Sequence, residues 1–322
     1  SCDFGVEFLK SQPTEKPFFL TIQMGPPHDP YGAPEDYMRR YDPEKITPPA
    51  NWQAGSEVSK SPDLIRRPWV PERPAVPLGG KEEIAAYYAA ITAMDEQVGR
   101  LMQTLKETGQ DENTIVLFTS DHGDMLGSHG MRRKRKPHDE SARVPGIVRW
   151  PGKVPANKVV ETLFSHVDMA PTLLALAGQP VPAQMQGTDL SRVARGETTQ
   201  GPEAVLLQIF VPMVGDQILE GWRGIVTAQH TYARYETKPW VLFDHAKDPN
   251  EIRNLAEEAD SAALQKELDG KLASLMQKNG DNWGFNSSDL VEGGVLFKGP
   301  KTFYSIAEYQ EFARTQGVPE AK

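Results

Sequence analysis

Apolar residues return at three- and four-residue intervals between Lys81 and Thr108: Ile84, Tyr87, Tyr88, Ile91, Met94, Val98, Leu101, Met102 and Leu105. That spacing predicts a helix with one apolar face, and Gly109 is a natural stop. Shorter apolar runs predict buried strands at Pro17–Gln23, Thr114–Thr119 and Gly146–Trp150, the last closed by Pro151-Gly152. A short helix is expected over Val167–Ala177. Helix, strand, polar loop, strand, helix is the rhythm of an α/β domain. The long stretch from Met24 to Gly80 is rich in proline and turn residues. A loop of that length in a compact domain covers a functional site or holds short helices of its own.

The chain turns polar around Ser191–Pro202, which predicts a boundary between residues 1–200 and 201–322. Beyond it, strand-like runs follow closely at Ala204–Val211, Gly224–Ala228, Thr231–Tyr235 and Trp240–Asp244, with a helix from Ser261 to Lys278. Strands so closely spaced predict a small antiparallel subdomain.

The net charge of −9 argues against nucleic acid as a partner, because phosphate backbones call for basic surfaces. No apolar run reaches the ~20 residues of a membrane span. The single cysteine, Cys2, leaves no internal disulfide framework and no thiolate metal site. With no apolar leader in view at Ser1, the compartment is not legible here.

Candidate chemistry gathers after the Thr114–Thr119 strand. In open α/β sheets ligands bind at the carboxyl ends of strands, and there stand Asp121 and His122. A carboxylate and an imidazole could ligate a divalent cation; alternatively Asp121 caps a turn and His122 fills space. The run Arg132-Arg133-Lys134-Arg135-Lys136 follows in an otherwise acidic chain. Most of these cations are expected to form a solvated face, but a site for an anionic ester needs at least one of them. Similarly, His28 follows the first strand on the same side of the expected sheet, in Pro26-Pro27-His28-Asp29-Pro30.

These motifs together resemble the type I, formylglycine-dependent sulfatases. Phe18-Phe19-Leu20 running to Pro27-His28-Asp29-Pro30-Tyr31 resembles the segment that places a sulfate-binding histidine, and Thr119–Gly130 resembles the metal-ligand loop. Lys134, Asp139-Glu140-Ser141, Arg143-Val144-Pro145 and Arg149-Trp150-Pro151-Gly152 continue the match. So do Asp168–Leu174, Trp222-Arg223-Gly224 and Phe243-Asp244 with Lys247-Asp248-Pro249 and Asn254-Leu255-Ala256. The ordered set covers roughly residues 6 to 280.

The resemblance implies an alkaline-phosphatase-like mixed sheet sandwiched by helices, incomplete at its N-terminus, with a smaller antiparallel C-terminal subdomain. It implies that Asp121 and His122 hold half of a Ca²⁺ site, with Mg²⁺ or another divalent ion as alternatives. It implies that Lys134 and His28 contact the sulfate, and that His28 protonates the leaving alcohol. The proline-rich loop and the C-terminal piece near Trp222-Arg223 are expected to shape the pocket for the alcohol, whether sugar or aryl. Asp124, His129 and His166 receive no role beyond packing. The family's nucleophile is made within a Cys/Ser-x-Pro/Ala-x-Arg motif; Cys2-Asp3-Phe4-Gly5-Val6 does not match it, and no serine version occurs. The formylglycine is therefore expected in a segment upstream of Ser1, so that this chain alone should be inactive. The implied substrate is a sulfated small molecule or saccharide, and a periplasmic or extracellular location would fit the family. A phosphodiester or phosphonate monoester hydrolase and a non-catalytic anion- or glycan-binding homologue are the competing readings.

Overall fold

The computed structural model describes residues 1–13, 15–52, 80–210, 216, 218 and 220–283. Much of the expected Met24–Gly80 loop, the end of the expected Ala204–Val211 strand and everything after Trp283 lie outside the described residues. The fold is mixed α/β and divides into two compact units. Unit 1 comprises 1–203 with 248–252, and unit 2 comprises 204–247 with the residues from Arg253 onward.

In unit 1, helix α1 (Cys2–Ser11) packs on the long helix α3 (Lys81–Glu107). Alanines 85, 86, 89 and 90 are all buried on α3, which keeps that part of its surface thin enough for close neighbours. Glu82 and Glu83 lie in the first turn of α3, where carboxylates suit the positive end of the helix dipole. The expected stop is present: Gly109 takes φ +69°, and the Gln110 N–H returns to the Leu105 carbonyl at 2.9 Å. The buried Gln110 side chain then donates to the Leu9 carbonyl at 2.9 Å, fastening the end of α1 to the end of α3. Within the long loop the described residues include a short helix α2 (Glu35–Met38) and a 3₁₀ turn at Pro43–Lys45.

Strands β1 (Val116–Thr119) and β2 (Gly146–Arg149) pair antiparallel, Val116 opposite Arg149 and Thr119 opposite Gly146. Between them lies the short helix α4 (Asp139–Ala142). Neither strand is fully buried, and Ile147 is 59% exposed. The expected strand at Pro17–Gln23 is extended chain with no ladder, and Phe19 is 85% exposed. An apolar run becomes a strand only when a neighbour accepts its backbone hydrogen bonds, and none of the described residues does so here. Helix α5 (Met169–Leu176) follows a 3₁₀ turn at His166–Asp168, which Ser165 and Asp168 close as a capping box. A single turn, α6 (Ser191–Ala194), precedes the end of the unit.

Unit 2 is an antiparallel meander: β3 (Ala204–Ile209), β4 (Trp222–Thr227), β5 (His230–Tyr235) and β6 (Pro239–Asp244), in chain order, with helix α7 (Ala262–Lys278). Its strands alternate between two cores. Ile225, Tyr232 and Leu242 lie in register and pack with Leu268, Leu272 and Met276 of α7. The intervening Trp222, Ala233, Val241 and Phe243 form a second core with Ile218. Trp222 and Arg223, in the piece expected to shape a substrate pocket, are 2% and 1% exposed. Arg223 is committed to Asp281, one bond of the pair being 3.1 Å, and its guanidinium lies between the Phe210 and Trp283 rings.

Candidate active site

β1 ends at Thr119, and the chain leaves it as Ser120-Asp121-His122-Gly123. This loop can lie flat against α4 because residue 123 is glycine: a Cβ there would stand 2.0 Å from the Glu140 carbonyl oxygen. The Gly123 N–H donates to the Ser141 carbonyl at 2.9 Å and locks that approach. His166 Nε2 lies 2.8 Å from the Ser120 carbonyl and pins the start of the loop, a contact that the sequence alone did not reveal.

The Asp121 side chain is 84% exposed, and its Oδ1 accepts the His122 N–H at 3.0 Å. His122 Nδ1 lies 2.8 Å from the Gly123 carbonyl, to which it donates, and its Nε2 faces Asp121 Oδ2 at 3.5 Å. Burial would raise the Asp121 pKa, but His122, local backbone donors and Lys134 outweigh it and hold the carboxyl below its ordinary range. A carboxylate oxygen and an imidazole nitrogen thus lie side by side at the end of β1.

His28 arrives from the other loop. Its ring centroid is 6.4 Å from that of His122, and its Nε2 is 2.8 Å from Lys134 Nζ. Its Nδ1 lies 2.6 Å from the Asp29 carbonyl, so Nε2 is the nitrogen left to meet the ammonium. All four residues expected from sequence, His28, Asp121, His122 and Lys134, therefore converge.

The basic run behaves differently from the solvated face expected for most of it. Arg132 is buried and pairs with Glu83 of α3 at 2.6 Å. Lys136 is 2% exposed and donates to the Arg132 carbonyl at 2.5 Å. Arg133 reaches Asp29 at 3.4 Å. The reason is local geometry: Arg133 and Arg135 both adopt positive φ, 60° and 71°, so the chain folds on itself instead of running along a surface.

A second polar cluster went unnoticed in the sequence. Ligand-type atoms of His129, Glu140 and Glu251 lie within 4.8 Å of one another. The Asn51 amide nitrogen sits among them, 3.0 Å from His129 Nε2, 2.6 Å from Glu140 Oε1 and 2.8 Å from the Asn250 carbonyl. Glu251 also caps α4, accepting the Asp139 N–H at 3.0 Å. Burial, reinforced by Asp139, Glu140 and Asp248, pushes the Glu251 carboxyl up to about 8. Burial, with His129 and Lys136 beside it, lowers His138 to about 3. These contacts join positions about two hundred residues apart, which no local spacing could signal.

The sequence profile of the sulfatase family matches residues 2–179, more than half of the chain. The chain belongs to the sulfatase family. A second profile, that of the C-terminal region of N-sulphoglucosamine sulphohydrolase, matches residues 127–278. Among relatives of this sulfatase chain, the ulvan-active sulfatase of Formosa agariphila is 33% identical, across 87% of the chain and 51% of the relative. An endo-4-O-sulfatase of Bacteroides thetaiotaomicron is 29% identical, across 86% of the chain and 56% of the relative. The chain thus spans about half the length of these curated relatives. The solved phosphonate monoester hydrolase of Agrobacterium radiobacter superimposes with a TM-score of 0.72 at 27% identity, over 86% of this chain and 60% of that one. A structure solved with its substrate D-glucosamine-2-N,6-O-disulfate gives 0.72 at 24% identity, over 87% and 69%, and so speaks to the fold alone. These neighbours make the fold alkaline-phosphatase-like. Membership implies metal use and a formylglycine. Among the described residues, no helix is long and apolar enough to cross a membrane.

Proposed function

We propose that the protein hydrolyses sulfate esters, with His28 and Lys134 holding the sulfate group and Asp121 and His122 contributing to a divalent cation site. The observation that carries this reading is the meeting of Lys134 Nζ with His28 Nε2 at 2.8 Å beside the ionised Asp121 carboxylate. Lys134 offers three ammonium donors to the oxygens of a tetrahedral anion. His28 can hold or deliver a proton at Nε2, the atom that faces the shared space. Asp121 and His122 fit a divalent cation as part of a larger set; an oxygen-rich remainder would suit Ca²⁺, which takes six to eight ligands. When bound, the cation offsets negative charge on the ester and the formylglycine supplies the nucleophile. A sulfated saccharide or small molecule is the substrate class that suits this site and the relatives' names.

The second reading is phosphonate or phosphodiester hydrolysis, supported by the likeness to the Agrobacterium radiobacter enzyme. Sulfate and phosphonate esters are both tetrahedral anions, so His28 and Lys134 serve either. The test is a parallel assay of an aryl sulfate and an aryl phosphonate, using the protein expressed with its full coding sequence and added Ca²⁺. Faster sulfate turnover, lost in Lys134→Ala, supports the first reading; faster phosphonate turnover replaces it with the second.

A further inference from the structure

We infer that Asp124, together with Tyr31, positions this site: one carboxylate ties the loop that carries His28 to the turn that carries Lys134. The inference rests on the reading of His28 and Lys134 as the anion-binding pair. Neither of these two side chains is deeply buried, and His28 is 45% exposed, so packing alone does not fix their separation. The fixing comes from just behind them. Tyr31, three residues after His28, donates its hydroxyl to Asp124 Oδ2 at 2.7 Å. The other oxygen of the same carboxylate accepts the Leu126 N–H at 3.0 Å and the Arg133 N–H at 3.2 Å. Arg133 immediately precedes Lys134.

The Lys134 turn needs such a hold. Both of its flanking residues have positive φ, a conformation that is unfavourable for an L side chain and persists only where its surroundings impose it. Asp124 imposes it from one side through the Arg133 N–H. From the other, the Met125 N–H donates to the Arg133 carbonyl at 2.9 Å. A second tie runs parallel to the first, since the Arg133 guanidinium reaches Asp29, whose carbonyl faces His28 Nδ1.

The base of the bracket is helix α3. The Tyr31 ring meets that of Tyr87 edge-on, centroids 5.7 Å apart, while Arg132 is anchored on Glu83 one turn earlier. Burial, then the Asp124 charge, pushes the Tyr31 phenol far above its ordinary range, so it remains a donor throughout the working range of pH. A site held on a rigid element by hydrogen bonds behind the contacting side chains keeps its geometry without filling the pocket.

The test is calorimetric titration of inorganic sulfate into the 322-residue chain and its Tyr31→Phe, Lys134→Ala and doubly substituted variants, each with a melting curve. Tyr31→Phe keeps the ring against Tyr87 and removes only the hydroxyl. The expected result is sulfate binding weaker by roughly three- to ten-fold in Tyr31→Phe, the range of one lost hydrogen bond. Because the hydroxyl acts by setting the separation of His28 and Lys134, which no longer matters once Lys134 is gone, the double variant should bind no more weakly than Lys134→Ala alone. A merely structural role would lower the melting temperature and leave the sulfate affinity of the folded fraction unchanged. Unchanged affinity in Tyr31→Phe, or additive losses in the double variant, overturns the inference while Lys134→Ala still weakens binding. An affinity unaffected by Lys134→Ala overturns the reading of the site itself. Should Tyr31→Phe fail to fold, Asp124→Asn, which keeps the size and one acceptor oxygen, carries the same expectation.

Discussion

Unit 2 and unit 1 reach order by different means. In unit 2 the sheet is buried on both faces, and Ile225, Tyr232, Ala233 and Leu242 are wholly inaccessible. In unit 1, Phe4, Phe19, Ile147, Val159 and Val167 are each more than half exposed, while charged and polar groups such as Arg132, Lys136, Glu83, Asn51 and Glu251 are buried. Apolar packing, with one buried ion pair between Arg223 and Asp281, holds the meander. Buried ion pairs and hydrogen bonds hold the loops that carry the chemistry. The difference suits their tasks, because a packed apolar core tolerates imprecise partners, whereas a polar network fixes distances and suffers when one member is lost.

In unit 1 the largest expected effect is at Arg132. Arg132→Ala leaves Glu83 buried without its 2.6 Å partner and should destabilise the chain by roughly 3–5 kcal/mol in urea unfolding. A cost under about 1 kcal/mol would return Arg132 to the solvated class. Next comes a matched pair of isoleucines. Ile225→Ala in the meander should cost about 2–4 kcal/mol, and Ile147→Ala on β2 less than about 1, by the same assay. Equal costs would erase the contrast between the two regions.

The third prediction concerns pH. Glu251 is raised to about 8 in the folded chain from 4.5, so across that window the folded state keeps a proton that the unfolded state has released. Stability must fall as pH rises through it. His138 is lowered to about 3 from 6.5, so its contribution is present above 6.5 and is lost as pH falls toward 3. Between 4.5 and 6.5 the two slopes oppose each other, leaving Glu251 alone from 6.5 to 8. Over that last interval the chain should lose about 2 kcal/mol, and Glu251→Gln should flatten the loss. The substituted amide would still offer an oxygen to the Asp139 N–H, so an unfolded variant is not expected. Retention of the full slope by Glu251→Gln would assign the loss to another group.

Much of this was legible in sequence because the relevant signals are local. The period of α3, its glycine stop, the closely spaced runs of β4 to β6 and the Asp121-His122 loop after a strand all lie within short windows. What escaped notice depends on distant partners. The run at Pro17–Gln23 has the composition of a strand, but ladder bonds are a property of neighbours. The five cations from Arg132 to Lys136 look alike in sequence; only the turn around Lys134 separates the one that meets His28 from those that bolt the loop in place. Asp124 received no role beyond packing in the sequence, because its hydrogen-bond partner Tyr31 lies ninety-three residues away.

The central claim is that His28 and Lys134 share one anion site, with the His122 ring close enough to sense its occupancy. It is tested most directly by following the ring resonances of the seven histidines by ¹⁵N-edited NMR as inorganic sulfate is added to the chain. The account predicts that the His28 and His122 signals shift together with a single dissociation constant, that Lys134→Ala weakens that constant, and that His230 and His245 in unit 2 stay still. Shifts at His28 and His122 with unrelated constants, or none at either, would contradict it.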